Sequence, residues 1–134
     1  MTITNNEILT AICTLIATTP IFDLDGKIYK NVRPAGSILE DCVVSLISDV
    51  NGKFIQDSAL YVKIFYKDIR HTSTYEPDSA NGQTKERLLL NLSDSLIGMA
   101  DYTFYIESRE VYSEAVQDIQ QHYAILKMNF KYLN

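Results

Sequence analysis

Side chains able to bind, activate or transfer are few and scattered in this chain. The two cysteines, Cys13 and Cys42, each sit in an apolar run, beside Ile12 and Val43. Cysteine packs as a small hydrophobe, so both are read as free thiols in the core rather than as a disulfide. There is no Cys-x-x-Cys, and neither His71 nor His122 has a partner at ligand spacing, so no metal site is expected. Nucleophilic catalysis needs a Ser, Thr or Cys beside a base and an orienting group. No Gly-x-Ser-x-Gly is present; His71 stands between Arg70 and Thr72 as a surface histidine, and His122 opens an extended segment as a strand-edge residue. Asp23-Leu24-Asp25-Gly26 resembles part of a calcium loop. Aligning Gly26 with the glycine of such a loop, however, puts Ile21 and Val32 at the outer ligand positions, and neither can ligate. The segment reads as a turn. Glu40 with Asp41 and Glu107 with Glu110 could do acid–base work if buried, but on sequence they are solvated charges. The glycines are all isolated, which leaves no phosphate-binding loop, and Asn91-Leu92-Ser93 is a glycosylation pattern in mid-helix. No catalytic residue and no cofactor is expected, and the chain is not read as an enzyme.

Composition narrows the class further. A chain of 134 residues fits one domain, here residues 1–134, and a domain of this size buries about two-thirds of its unfolded surface. With 46% hydrophobic and 22% charged residues it is an ordinary globular composition. The formal charge of −5 disfavours a broad nucleic-acid face and docking on an anionic membrane. No run approaches the roughly 20 apolar residues of a membrane helix. No basic residue precedes Ile8–Ala17, so a secretory signal is not expected and an intracellular, soluble chain is.

Thr4 and Glu7 form a capping box, and Ile8, Leu9, Ile12, Leu15 and Ile16 follow at helical spacing until Thr18-Thr19-Pro20. A short extended piece, Lys27–Val32, ends at Arg33-Pro34-Ala35-Gly36, and the β-branched run Cys42–Ile47 is a buried strand. Asn51-Gly52 reverses the chain. From Ala59 to Ile69, Leu60, Val62, Ile64 and Tyr66 alternate with Tyr61, Lys63, Phe65 and Lys67, so one face meets a core and the other a surface or interface. The polar stretch Arg70–Gly82 is expected to be the longest loop. Gln83–Ile97 is helical: Leu88, Leu89, Leu92 and Leu96 make a stripe, Lys85, Glu86, Arg87, Asn91 and Asp94 point outward, and Gly98 suits the end. Tyr102–Glu107, extending to Tyr112, and His122–Leu133 are the closing strands. In the last, Ala124, Leu126, Met128, Phe130 and Tyr132 oppose Ile125, Lys127, Asn129 and Lys131. Strands adjacent in sequence give an α+β fold. Four to five mainly antiparallel strands carry both helices on one face, in the order α-β-β-β-α-β-β.

What is unusual is aromatic: nine tyrosines and no tryptophan, many of them in the strands. Tyrosine suits half-buried sheet positions, and it also suits subunit contacts, where an apolar ring with a polar tip is favoured. The residues expected at such a contact are Tyr61, Lys63, Phe65, Lys67, Arg70, His71, Tyr75, Ile125, Lys127 and Lys131.

This order of elements, with Tyr29-Lys30-Asn31-Val32-Arg33-Pro34, Glu40-Asp41-Cys42-Val43-Val44-Ser45-Leu46, the run from Ala59 to Asp68 and the run from His122 to Phe130, resembles a known family. It is that of the small tail-terminator or tail-completion proteins of long-tailed bacteriophages, in the versions carried by prophages of gut Bacteroidetes. In that family the segment matching Arg33-Pro34 and Glu40 to Val44 leads into a central strand. Cys42 departs from the pattern, where an aliphatic residue is expected. The resemblance implies a non-enzymatic protein that assembles as a ring, commonly a hexamer, on the end of the tail tube and mediates attachment to the head. Its partners would be further copies of itself, the tail tube protein and a head–tail connector protein. It would reside in the bacterial cytoplasm during assembly and then in the virion. A related connector or other virion adaptor, and a small-ligand binding module with a pocket between helices and sheet, stand as alternatives.

Overall fold

The computed structural model describes residues 5–18, 26–49, 55–71, 74–98, 104–116 and 119–133. In chain order the elements are α1 (Asn5–Thr18), β1 (Ile28–Lys30), β2 (Cys42–Asp49), β3 (Ile55–Lys67), β4 (Ile69–His71), β5 (Thr74–Glu76), α2 (Ser79–Gly98), β6 (Phe104–Ala115) and β7 (Gln121–Leu133). The expected cap at Thr4, the turn at Asp23–Asp25 and the reversal at Asn51-Gly52 lie outside the described residues.

Five strands form one sheet in the order β1-β2-β3-β7-β6, antiparallel except where β1 runs parallel to β2. The α+β class and the mainly antiparallel sheet are therefore as expected. The segment after Arg33-Pro34 enters β2, an interior strand, while β3 holds the centre. Strand alternation sets what lies beneath the helices. Leu60, Val62, Ile64 and Tyr66 of β3, Ala124, Leu126, Met128 and Phe130 of β7, and Cys42, Val44 and Leu46 of β2 point to one side. Leu9, Ile12 and Ile16 of α1 and Leu88, Leu89, Leu92 and Leu96 of α2 cover that side. Each buried aliphatic side chain contributes about 1.5–3 kcal/mol over leaving it in water.

The stretch Arg70–Gly82 departs from the expected loop. It contains a small hairpin, β4 with β5, and the first turn of α2. Asp78 caps that helix, its Oδ1 accepting from the Asn81 backbone N–H at 3.1 Å. Aspartate before a helix reads locally like a turn residue, and only the completed turn reveals it as a cap. Gly82 then lets α2 close on the sheet, since a Cβ there would lie 2.8 Å from the Tyr66 hydroxyl oxygen.

The parallel β1–β2 pair has a topological consequence. Parallel neighbours need a connection that travels back along the strand, typically a dozen or more residues. Here residues 31–41 make that journey, leaving β1 through Asn31 at φ 71 and turning at Gly36, φ 80. The helices occupy one face of the sheet. The crossover uses the other.

Candidate functional site

The crossover is built around an acid. Asp41 is 0% exposed; its Oδ1 accepts from the Lys27 backbone N–H at 3.1 Å, and its Oδ2 accepts from the Ser37 hydroxyl at 2.5 Å. Arg33 Nη1 stands 3.6 Å from the same Oδ2. Arg33 also donates to Gln121 Oε1 at 2.9 Å, and Gln121 Nε2 donates to the Ile38 carbonyl at 2.7 Å. Burial holds the Arg33 guanidinium below its ordinary pKa and Asp41 works against that, so it remains a cation at neutral pH. Glu40 faces α2, accepting from Asn81 Nδ2 at 2.9 Å with Lys85 Nζ at 4.0 Å. The expectation that Glu40 and Asp41 are solvated is corrected, as is the outward placement of Lys85, which is 5% exposed. A charge is tolerated inside when partners satisfy it, and these partners converge only once the crossover has closed. Every Asp41 oxygen is occupied by the fold itself, so the cluster is a structural clasp.

The face opposite the helices carries the unusual chemistry. Strand register arranges it in rows. One row runs Tyr29, Val43, Lys63, Ile125, Tyr112; the next runs Ser45, Tyr61, Lys127, Glu110. Toward the crossover, Phe65, Tyr123 and Glu114 stand side by side. Phe65 is capped by Arg33, whose guanidinium lies 3.6 Å from the ring centre, and it meets Tyr123 at 5.6 Å in a tilted pair. Lys63 Nζ lies 4.8 Å from the Tyr123 ring and Lys127 Nζ 5.9 Å from the Tyr61 ring. Cations over aromatic faces contribute about 0.5–1 kcal/mol each at exposed sites. The Tyr123 hydroxyl donates to Glu114 Oε2 at 2.6 Å; that bond first, and burial second, push its pKa up to about 12.

Of the ten residues expected at a contact, Tyr61, Lys63, Phe65, Lys67, Ile125, Lys127 and Lys131 share this one face. Phe65 and Ile125 are 8% and 4% exposed, so they form the floor of the face rather than its outer surface. Tyr61, Lys63 and Lys127 are half-buried, and Lys131 pairs with Glu107 at 3.4 Å. Arg70, His71 and Tyr75 belong instead to the separate hairpin, where Arg70 and Tyr75 are register partners with the guanidinium 5.9 Å from the ring. Tyr75 is 48% exposed; the His71 side chain lies outside the described residues.

His122 is tied in more firmly than a strand-edge residue. Its Nδ1 is 2.6 Å from Asp68 Oδ1 and its ring stacks on Tyr66 with centres 6.0 Å apart. The pair fastens the base of the hairpin, where the Asp68 N–H also donates to the Gln120 carbonyl at 3.1 Å. Sequence reading missed this pair, as it missed Arg33, Asp41 and Gln121; only the Arg33-Pro34 break hinted at a special segment. At the end of the face away from the crossover, a shallow open groove of about 280 Å³ is lined by Ile47, Ser58, Ala59, Glu107, Ser108, Asn129 and Phe130.

Cys13 and Cys42 are free thiols; Cys42 is buried, and desolvation pushes its pKa up to about 12. Among the described residues no three His, Cys, Asp or Glu side chains gather as a metal site, and no helix is long and apolar enough to cross a membrane. No protein-family model matches the chain, and no curated protein matches it.

Proposed function

We propose that this chain is a non-enzymatic assembly protein whose outer sheet face is a subunit contact. Its particular role would be that of a tail-terminator-like ring at the end of a phage tail tube, joining tube to head. The observation that carries the assembly reading is the face itself. Tyr61, Tyr112 and Tyr123 stand with Lys63 and Lys127 over a floor of Val43, Phe65 and Ile125, neither a sealed core nor a fully polar surface. Aromatic residues over an apolar floor, rimmed by charge, are the composition of a wet protein–protein contact. The helix–sheet seam, where a small-ligand module would hold its pocket, is filled by the leucines of α2 and the aliphatic residues of α1. The phage setting is supported by the resemblance of the Tyr29–Pro34, Glu40–Leu46, Ala59–Asp68 and His122–Phe130 segments. In this reading the protein works in the bacterial cytoplasm during assembly and ends in the virion, with tube and connector proteins as partners.

Electron microscopy of phage tail tubes incubated with gold-labelled protein tests the role. Label confined to one tube end supports the terminator. Label on isolated head–tail connectors but absent from tubes moves the assignment to a connector, and label on neither contradicts both.

A further inference from the structure

The outer face is divided by charge. Lys63 on β3 and Lys127 on β7 make a basic stripe, and Glu110 and Glu114 on β6 make an acidic edge beside it. Lys127 and Glu110 are direct register partners, so a cross-strand ion pair is the simplest expectation. It does not form: the Lys127 ammonium sits over Tyr61, and Glu110 holds no hydrogen bond or ion pair among the described residues. Lys63 likewise sits over Tyr123 rather than on a carboxylate.

We infer that this face docks on the same face of a second copy, the basic stripe of each lying against the acidic edge of the other. The occupant follows from complementarity. Stripe and edge are neighbours on one surface, so a two-fold axis satisfies both at once, as an isologous contact requires. Tyr61 and Tyr112 then fill the centre between the charged rows, where aromatic residues are favoured in contacts. This inference rests on the assembly reading and adds a pair of copies as its building unit. An ion pair withheld within the chain becomes one made between chains, and salt weakens it.

Light scattering on three samples provides the test: Lys127→Glu alone, Glu110→Lys alone, and the two mixed, each beside the native chain. Each variant sets like charges against each other, so self-association should weaken by roughly tenfold or more. In the mixture the carboxylates at positions 110 and 127 of one variant meet the ammonium groups at 127 and 110 of the other, which restores opposite charges at both ends of the two-fold contact, and the native mass should return. Circular dichroism melting of each variant confirms that it folds. Native association untouched by either substitution, or a mixture no heavier than its components, overturns the pairing while leaving the assembly reading standing. A native chain that never associates, alone or with tube protein, overturns both.

Discussion

The guanidinium of Arg33 lies over Phe65, 3.6 Å from the ring centre, while a nitrogen of the same group stands 3.6 Å from the wholly buried Asp41. One side chain thus fastens the crossover to the acid that organises it and to the floor of the outer face. Removing one partner of a buried ion pair leaves the other charge uncompensated, a loss of about 3–5 kcal/mol. Arg33 is slightly exposed, so Arg33→Ala should destabilise by about 2–4 kcal/mol in urea unfolding. Arg33→Lys should recover only a fraction, because an ammonium cannot stack and fork together. An unchanged midpoint for Arg33→Ala would mean the clasp contributes nothing.

Core and face should respond differently to truncation. Leu92 and Leu126 are buried on opposite sides of the helix–sheet seam, and Leu→Ala at either should destabilise by about 2–4 kcal/mol. Tyr61→Ser, on the outer face, should leave thermal melting nearly unchanged while weakening assembly. Equal effects at all three positions would contradict the division of labour between the two faces.

Gly82 is the point where α2 meets the sheet most closely. Alanine is favoured over glycine within helices by about 1 kcal/mol. At this position the added Cβ would lie 2.8 Å from the hydroxyl oxygen of the buried Tyr66, and overpacking costs about 1–3 kcal/mol. Gly82→Ala should therefore lower stability by up to about 2 kcal/mol, and restoring space with Tyr66→Phe in the same chain should return part of it. A more stable Gly82→Ala protein would show that the ring moves freely.

Tyr123 titrates late. Its hydroxyl must be protonated to donate to Glu114, and the folded pKa of about 12 lies above the ordinary value of 10.0. The sign follows: the bond's contribution is complete below the unfolded pKa and is lost as pH rises through the folded one. Ultraviolet titration of the native protein should show a phenol ionising at about 12 rather than the ordinary 10.0, and Glu114→Gln should bring it back toward the ordinary value. A native titration without a late phenol would contradict the bond.

The two thiols should separate kinetically. Burial raises both pKa values, but Cys42 is pushed to about 12 while Cys13 is half-buried and feels Lys30. A thiol reagent should modify Cys13 slowly and Cys42 only on unfolding. Equal rates would place Cys42 nearer the surface.

What sequence could reveal here was what repeats locally. The alternation through Leu60, Tyr61, Val62 and Lys63, and the Leu88, Leu89, Leu92, Leu96 stripe, are written at the periods of their own elements, and both faces follow from them. The parallel pairing of β1 was hidden because three residues have no period to read, and its neighbour is decided by the crossover. The β4–β5 hairpin was hidden for the same reason: its strands are short and polar at several positions, and β5 is exposed throughout. Asp41 looked solvated because Ser37 and Arg33, though near it in sequence, turn onto it only in the folded crossover, and Lys85 looked solvated because its partner Glu40 is far along the chain. Of the candidate contact, the seven residues in β3 and β7 were legible from alternation. The withheld Lys127–Glu110 pair was not, since it depends on cross-strand register and on a side chain's choice of Tyr61.

The claim that the outer face joins subunits is tested most directly by the mass of the native protein in solution. Multi-angle light scattering across a concentration series, without and with tail tube protein, should show species heavier than the 15.2 kDa chain, diminishing as salt is raised. A mass fixed at that of one chain under every condition would contradict it.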